Sequence, residues 1–199
     1  MLRPLVSLGL VLLLGALVAV PAQEKKKYVK DVSDTDYTRR DLTKQNFSNY
    51  LAENCIFQLC SMKGMKLVGA NLSGADFGSA DLENCDFSGA ILKNAKFERA
   101  GAQGANFEKA DLTGADLSRC SCQKAKFAGA NLQNLKGLQD MTGADFTDAD
   151  IRGANLQDTK EYSTKAIFKG AIYDKLTRWP RGYDVESSGA VLKASPEKK

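Results

Sequence analysis

The chain repeats itself every five residues over most of its length. Residues 70–84 read ANLSG, ADFGS and ADLEN, so that a large apolar residue recurs at every fifth position. A small residue, usually Ala, stands two positions before this centre, and Asp, Asn or another polar residue stands directly before it. All seven Phe from Phe47 to Phe127 occupy the centre. Scattered residues would share one of five frames about once in 15,000 cases, so the repeat is real.

A period of five excludes the common regular elements. An amphipathic α-helix needs apolar spacings of three and four, and a half-buried strand needs a spacing of two. A chain that turns a corner every five residues and directs two of them inward satisfies the pattern. Four such sides close a square coil of 20 residues, and successive coils stack like parallel strands about 4.8 Å apart.

The repeat resembles the A-(D/N)-(L/F)-x-x signature of the pentapeptide-repeat family over residues 35–173. This resemblance implies an all-β fold, a right-handed quadrilateral parallel β-helix. In such a pentapeptide-repeat solenoid the small and central residues point inward and the other three face water.

A four-sided coil predicts that residues 20 apart stack in columns. Phe then occupies two opposite sides and never the other two, which favours aromatic ladders along the stack. One Phe column lies between Tyr37 and Leu117, and the other includes Leu67. Their Phe members are Phe57, Phe77 and Phe97 in the first, and Phe47, Phe87, Phe107 and Phe127 in the second.

The frame breaks twice near the C-terminal end. The step from Leu132 to Met141 is one residue short of two sides, and Leu135 or Leu138 is expected to fill the intervening side. The step from Leu156 to Phe168 is two residues longer than two sides. With these shifts Phe146 and Phe168 continue the second Phe column. Counting sides gives about seven coils, or a stack roughly 30–35 Å high.

The remaining segments divide the chain further. Residues 5–20 are an unbroken apolar stretch behind Arg3, and small residues around Ala22 predict signal-peptide cleavage, so residues 1–22 are assigned as a signal peptide. A cleaved signal peptide predicts export to the periplasm, the thylakoid lumen or the extracellular space. The basic stretch that begins at Lys25 opposes translocation, so an uncleaved membrane anchor is the alternative. The other assignments are an N-terminal cap or linker at 23–34, a C-terminal cap at 174–194 and a disordered tail at 195–199.

Composition restricts the possible chemistry. The chain has no His, which excludes His-ligated zinc and catalysis by a His base. No two of the five Cys are 20 residues apart, so they are interpreted as buried thiols, with a Cys55–Cys60 disulfide left open. The sequence Cys120-Ser121-Cys122 resembles a redox or metal pair only weakly, since no second pair accompanies it. We therefore expect no catalytic residue, metal or cofactor.

The distribution of charged residues argues against two alternative functions. Some cytosolic pentapeptide-repeat proteins mimic duplex DNA with an acidic face and bind DNA gyrase, so a DNA-mimic regulator of a type II topoisomerase is one alternative. Here Lys66, Lys96 and Lys126 interrupt the corresponding polar columns, and the net charge is +4. A carbohydrate-active β-helix enzyme is the second alternative, but it needs clustered carboxylates and the Asp residues are evenly spread. No nucleic-acid partner is expected.

Four apolar residues occupy positions that should face water: Leu51, Ile56, Leu59 and Val68. They predict either a patch for a protein partner or for self-association, or a surface covered by residues 24–34. Together these observations predict an exported, non-enzymatic structural or protein-interaction module whose partner is unknown. Membrane contact is expected only through an uncleaved signal segment.

Overall fold

The computed structural model describes residues 28–157 and 165–193, which form a right-handed, four-sided parallel β-helix. Residues 20 apart pair through parallel bridges, as between Asp36 and Ile56 and between Asp41 and Ser61. The predicted fold is therefore confirmed. In the described part of the chain, two-residue pairings occur near the ends, where β1 (Lys30–Asp31) pairs with β2 (Tyr50–Leu51) and β3 (Ile172–Tyr173) pairs with β4 (Val191–Leu192).

Each corner is a tight turn that begins at the central residue. The carbonyl of Phe57 accepts a hydrogen bond from the N–H of Cys60, and that of Tyr37 from the N–H of Arg40. The third residue of the turn has positive φ, as at Asn54 (+55°) and Gly64 (+70°). Glycine and asparagine tolerate this conformation best, which explains why they recur two positions after the centre.

The Asp and Asn residues of the repeat also serve the turns. The side-chain oxygen of Asp36 accepts the backbone N–H of Thr38 at 2.8 Å, and that of Asp76 accepts the N–H of Gly78 at 2.9 Å. Such bonds stabilise a corner without any ligand. The even spread of carboxylates around the coil therefore has a structural cause.

The interior is filled by the small and central residues of every side. Both predicted Phe columns are present, with ring centroids 4.9 Å apart for Phe77–Phe97 and 4.9 Å apart for Phe87–Phe107. Rings of the two columns meet edge to face across the interior, as between Phe77 and Phe87 at 5.7 Å. All nine Phe are buried.

Both frame shifts occur where the spacing predicted them. Ser121 pairs with Asp140, one residue short of the usual offset, and the buried Leu138 fills the shortened side beside Gly137. Asp145 pairs with Ile167, two residues beyond the usual offset. Phe127, Phe146 and Phe168 nevertheless stack at 4.8 Å, so the aromatic column continues across both irregularities.

The two segments predicted to be caps pair with the neighbouring coils and extend the ladder. The first described residues pair as an extra side below Tyr50 and Leu51. Near the other end Arg178 pairs with Asn155, and β4 pairs with β3. Over this end Trp179 packs edge-on against Phe168 at 5.0 Å, and a short 3₁₀-helix spans Glu186–Ser188.

The predicted signal peptide and disordered tail lie outside the described residues. Within the described ranges, no helix has the length and apolar character that crossing a membrane requires.

Candidate interaction surface

The four sides of the coil give four flat outer faces. We call them faces A, B, C and D, centred in the second coil on Phe57, Met62, Leu67 and Leu72 respectively. Faces A and C are opposite each other and carry the Phe columns behind them. Each face presents three residues per coil to the outside: the one before the centre and the two after it.

The structure distributes the four predicted patch residues over three faces. Ile56 and Leu59 share face A, where they are 36% and 49% exposed. Leu51 lies on face D and Val68 on face C, and both are half-buried. Of the four residues, only Ile56 and Leu59 therefore share a face.

The N-terminal segment covers only part of this region. Asp31 pairs with Leu51 from below and Asn71 pairs with it from above, so the half-buried Leu51 lies within the ladder. Residues 28–34 continue the ladder and do not fold back over Ile56 and Leu59. Residues 24–27 of the proposed cover lie outside the described residues.

Leu59 is exceptional in its backbone conformation. It has a φ of +58°, in the left-handed region. Fourteen non-glycine residues have positive φ within the described ranges, and Leu59 alone among them is apolar. A bulky apolar side chain in this region is strained. Leu59 is 49% exposed, so burial accounts for Leu at this corner only in part, and the turn itself favours Gly or Asn.

Two neighbouring grooves continue along face A from Leu59. The first runs past Gly78 to Glu98, and the second, of about 550 Å³, runs from Glu98 to Gln139. Glu98 forms exposed ion pairs with Arg99 (3.9 Å) and with Arg119 (3.5 Å). Sequence reasoning did not identify these grooves. Gly78 lines the first groove and Gly137 lines the second, and neither glycine adds a side chain to its groove.

Charges of both signs alternate on face A. Lys96 pairs through its backbone with both Asp76 and Asp116, so a cation separates the two carboxylates in one column. A phosphate-like array requires dense negative charge of one sign. The mixed face does not provide the acidic surface of a DNA mimic.

Among the residues that the structure describes, the carboxylates form no reactive cluster. Within the described ranges no group of three His, Cys, Asp or Glu residues could hold a metal ion. Asp150 is bound by Arg152 through a 2.6 Å ion pair and by Gln133 through a 2.8 Å hydrogen bond. Burial raises the pKa of Asp150, but the bonds from Arg152 and Gln133 outweigh it, so the net pKa is lowered. This carboxylate is a structural anion.

All five Cys are buried and free. Cys55 donates its thiol to the carbonyl of Val32 at 3.0 Å and Cys60 to that of Tyr37 at 2.9 Å, so the suggested Cys55–Cys60 disulfide is absent. Cys85 donates similarly to a backbone carbonyl, and burial raises its pKa to about 12. A thiol with such a pKa is a poor nucleophile at neutral pH.

Two protein-family models match the repeat. One, described as a pentapeptide repeat region, matches residues 30–107, and the other, described as pentapeptide repeats, matches residues 95–134 and 139–160. The gap between the last two ranges coincides with the shortened side. No curated protein sequence matches the chain.

Several solved structures are similar to the chain. The structure of QnrB1, a plasmid-mediated fluoroquinolone resistance protein, is 16% identical and matches over 84% of this chain and 93% of its own, with a TM-score of 0.44. A pentapeptide repeat protein from the thylakoid lumen of Arabidopsis thaliana is 34% identical over 55% of this chain and 68% of its own, with a TM-score of 0.34. HetL, from Nostoc sp. strain PCC 7120, is 22% identical over 85% of this chain and 89% of its own, with a TM-score of 0.25. With its repeat, its four-sided coil and both family models in agreement, the chain belongs to the pentapeptide-repeat family.

Proposed function

We propose that the chain is an exported, non-enzymatic module that binds a protein partner through face A. The observation that carries the proposal is Leu59, whose apolar side chain is half exposed in a backbone conformation that disfavours it. Strained residues that the fold does not require are typical of functional positions. Ile56 lies on the same side of the same coil and is 36% exposed, so this coil presents two apolar side chains on face A.

The surroundings of Leu59 define the kind of partner. Asp76, Lys96 and Arg99 line the groove beside it, so charges of both signs adjoin the apolar side chain of Leu59. Interfaces commonly combine an apolar centre with a polar, charged rim. A partner segment with an apolar residue flanked by charges of both signs is complementary to this surface.

The polar groups support a non-enzymatic role. Side-chain oxygens such as those of Asp36 and Asp76 are engaged in corner hydrogen bonds, which leaves them poorly placed as general bases. The Cys85 thiol is buried with a raised pKa, so it is unsuited to nucleophilic attack. We therefore assign face A to recognition and not to chemistry.

Photo-crosslinking tests the partner contact. A photoreactive amino acid replaces Leu59 in the cells that make the protein, and a second variant carries it at Lys109. Lys109 lies on the opposite face C with the same φ of +58°, which makes it a matched control. We expect a discrete crosslinked protein from position 59 and none from position 109. Equal crosslinking at both positions, or none at either, would contradict the proposal.

Export rests on the apolar stretch 5–20 and the small residues around Ala22. N-terminal sequencing of the protein purified from those cells tests it. A mature chain that begins at Gln23 is expected. A chain that still begins at residue 1 or 2 and fractionates with membranes would instead establish the uncleaved anchor.

A further inference from the structure

Cys120 and Cys122 differ from the other three cysteines. Both are fully buried, and their sulfur atoms lie 3.5 Å apart. Cys55, Cys60 and Cys85 each donate the thiol to a backbone carbonyl of the preceding coil at 2.9–3.0 Å. Cys120 and Cys122 instead contact each other, since they hold the two inward positions of one side.

Two small residues lie directly below this pair. The bridge between Gly101 and Ser121 places Ala100 and Ala102 in the coil below the two cysteines. Ala102 is a small central residue in a column that elsewhere carries larger ones: Leu42, Met62, Leu82 and Met141. Disulfide formation requires the sulfurs to approach by about 1.5 Å, to the usual bond length of about 2.05 Å. Alanine has no side-chain atom beyond its β-carbon, so the coil below restricts the χ1 rotations that this approach needs less than larger residues would.

We propose that Cys120 and Cys122 are a modification site that is oxidised to an intramolecular disulfide as the exported chain folds. The inference rests on the proposed export, because disulfides persist in oxidising compartments. One thiolate attacks a small disulfide such as oxidised glutathione and displaces one glutathione thiolate. The second cysteine thiolate then attacks the mixed disulfide and displaces the other. Two glutathione thiols are formed, two cysteine protons are released to them, and the cysteines lose two electrons.

Burial determines when this reaction occurs. Both side chains have no exposed surface in the folded coil, so an external disulfide has no direct access to them. Oxidation therefore takes place before the side closes, or after unfolding. The folded, reduced protein is expected to resist oxidised glutathione on the time scale on which the unfolded protein reacts.

Tryptic mapping of the full chain gives a direct readout. The protein is unfolded under reducing conditions, refolded with reduced and oxidised glutathione, denatured, alkylated with iodoacetamide and digested. Cleavage after Arg119 and Lys124 isolates both cysteines in the peptide 120–124. Cleavage after Lys44 and Lys63 places Cys55 and Cys60 together in the peptide 45–63, an internal control.

We expect that peptide 120–124 carries no alkyl group and has the mass of its dithiol form minus two hydrogens. Peptide 45–63 is expected to carry two alkyl groups. Cys85→Ala is expected to keep this pattern. Cys120→Ser should leave a single alkylated thiol in its peptide.

Three results would overturn the proposal. They are full alkylation of peptide 120–124, a stable mixed disulfide with glutathione there, or a metal ion retained by both thiols in the native mass spectrum. The wild-type map needs no variant to fold. Refolding is done in vitro, so its outcome does not depend on the export test. An uncleaved N-terminus would contradict export to an oxidising compartment, but disulfide formation between Cys120 and Cys122 could still be measured.

Discussion

Replacement of Leu59 by Asn separates a role in folding from a role in recognition. Asn adopts positive φ readily, and it occupies the equivalent corner position at Asn54 and Asn94, where φ is +55° and +56°. The substitution therefore removes the apolar surface of Leu59 while the corner keeps its backbone conformation.

The expected magnitude follows from two opposing terms. Relief of the left-handed strain of Leu59 contributes about 1–2 kcal/mol in favour of the variant. Loss of burial costs about 1 kcal/mol, because about half of the Leu59 side chain is buried and full burial of Leu is worth about 1.5–3 kcal/mol. The free energy of unfolding of Leu59→Asn should thus equal that of the wild type or exceed it by up to about 1 kcal/mol.

Equilibrium urea unfolding, followed by circular dichroism, measures this difference. The reciprocal control is Asn94→Leu on face D, which introduces the strain and should lower the free energy of unfolding by about 1 kcal/mol. If Leu59→Asn is instead destabilised by more than about 1 kcal/mol, Leu59 is required by the fold. Its exposure would then no longer indicate a partner.

Three further predictions concern the core, the charges and the alternative function. Phe87→Ala should lower the free energy of unfolding by about 3–5 kcal/mol, because its ring stacks at 4.9 Å on Phe107 in a fully buried column. Phe87→Leu should lower the free energy of unfolding by only about 1 kcal/mol, because Leu67 already occupies the same column. If urea unfolding gives the same loss for Phe87→Ala and Phe87→Leu, the aromatic ladder does not stabilise the coil as described. Because the pKa of Asp150 is lowered by folding, its stabilisation is complete above the unfolded pKa of about 4 and is lost as the pH falls through the folded pKa. The stability difference between wild type and Asp150→Asn should therefore shrink between about pH 7 and about pH 2, and a pH-independent difference would exclude this linkage. Purified protein at micromolar concentration should not inhibit DNA gyrase supercoiling, because face A lacks a continuous acidic column. Inhibition would instead support the DNA-mimic hypothesis.

The sequence predicted the fold in detail because the five-residue spacing and the resemblance to the pentapeptide-repeat family both imply a four-sided coil. Each Phe lies at a centre, so the columns and both frame shifts followed from counting, and Phe146 and Phe168 stack where the count placed them. The ends were harder to predict. Arg178 and Val191 extend the ladder through backbone pairing, which needs no apolar signature at fixed spacing.

The candidate site was predictable only in part. Ile56 and Leu59 stood out because apolar residues replaced polar ones at outward positions. Leu51 and Val68 also replace polar residues, but they lie on faces D and C. Their partial burial depends on the pairing of neighbouring coils, which the spacing does not show. The contact between Cys120 and Cys122 depends on side-chain rotamers, which the spacing alone does not determine.

Deletion of one whole coil tests the central claim, that four sides of five residues form the repeating unit and so define the faces. Removal of residues 97–116 takes out four sides and should leave every remaining residue on its original face. Removal of residues 102–116 takes out three sides, keeps the five-residue frame and rotates all later residues by one face, which separates Phe127 from the Phe column below it. Urea unfolding should show a cooperative, folded protein for the 20-residue deletion and a strongly destabilised one for the 15-residue deletion. Equal stability of the two would contradict the four-sided coil.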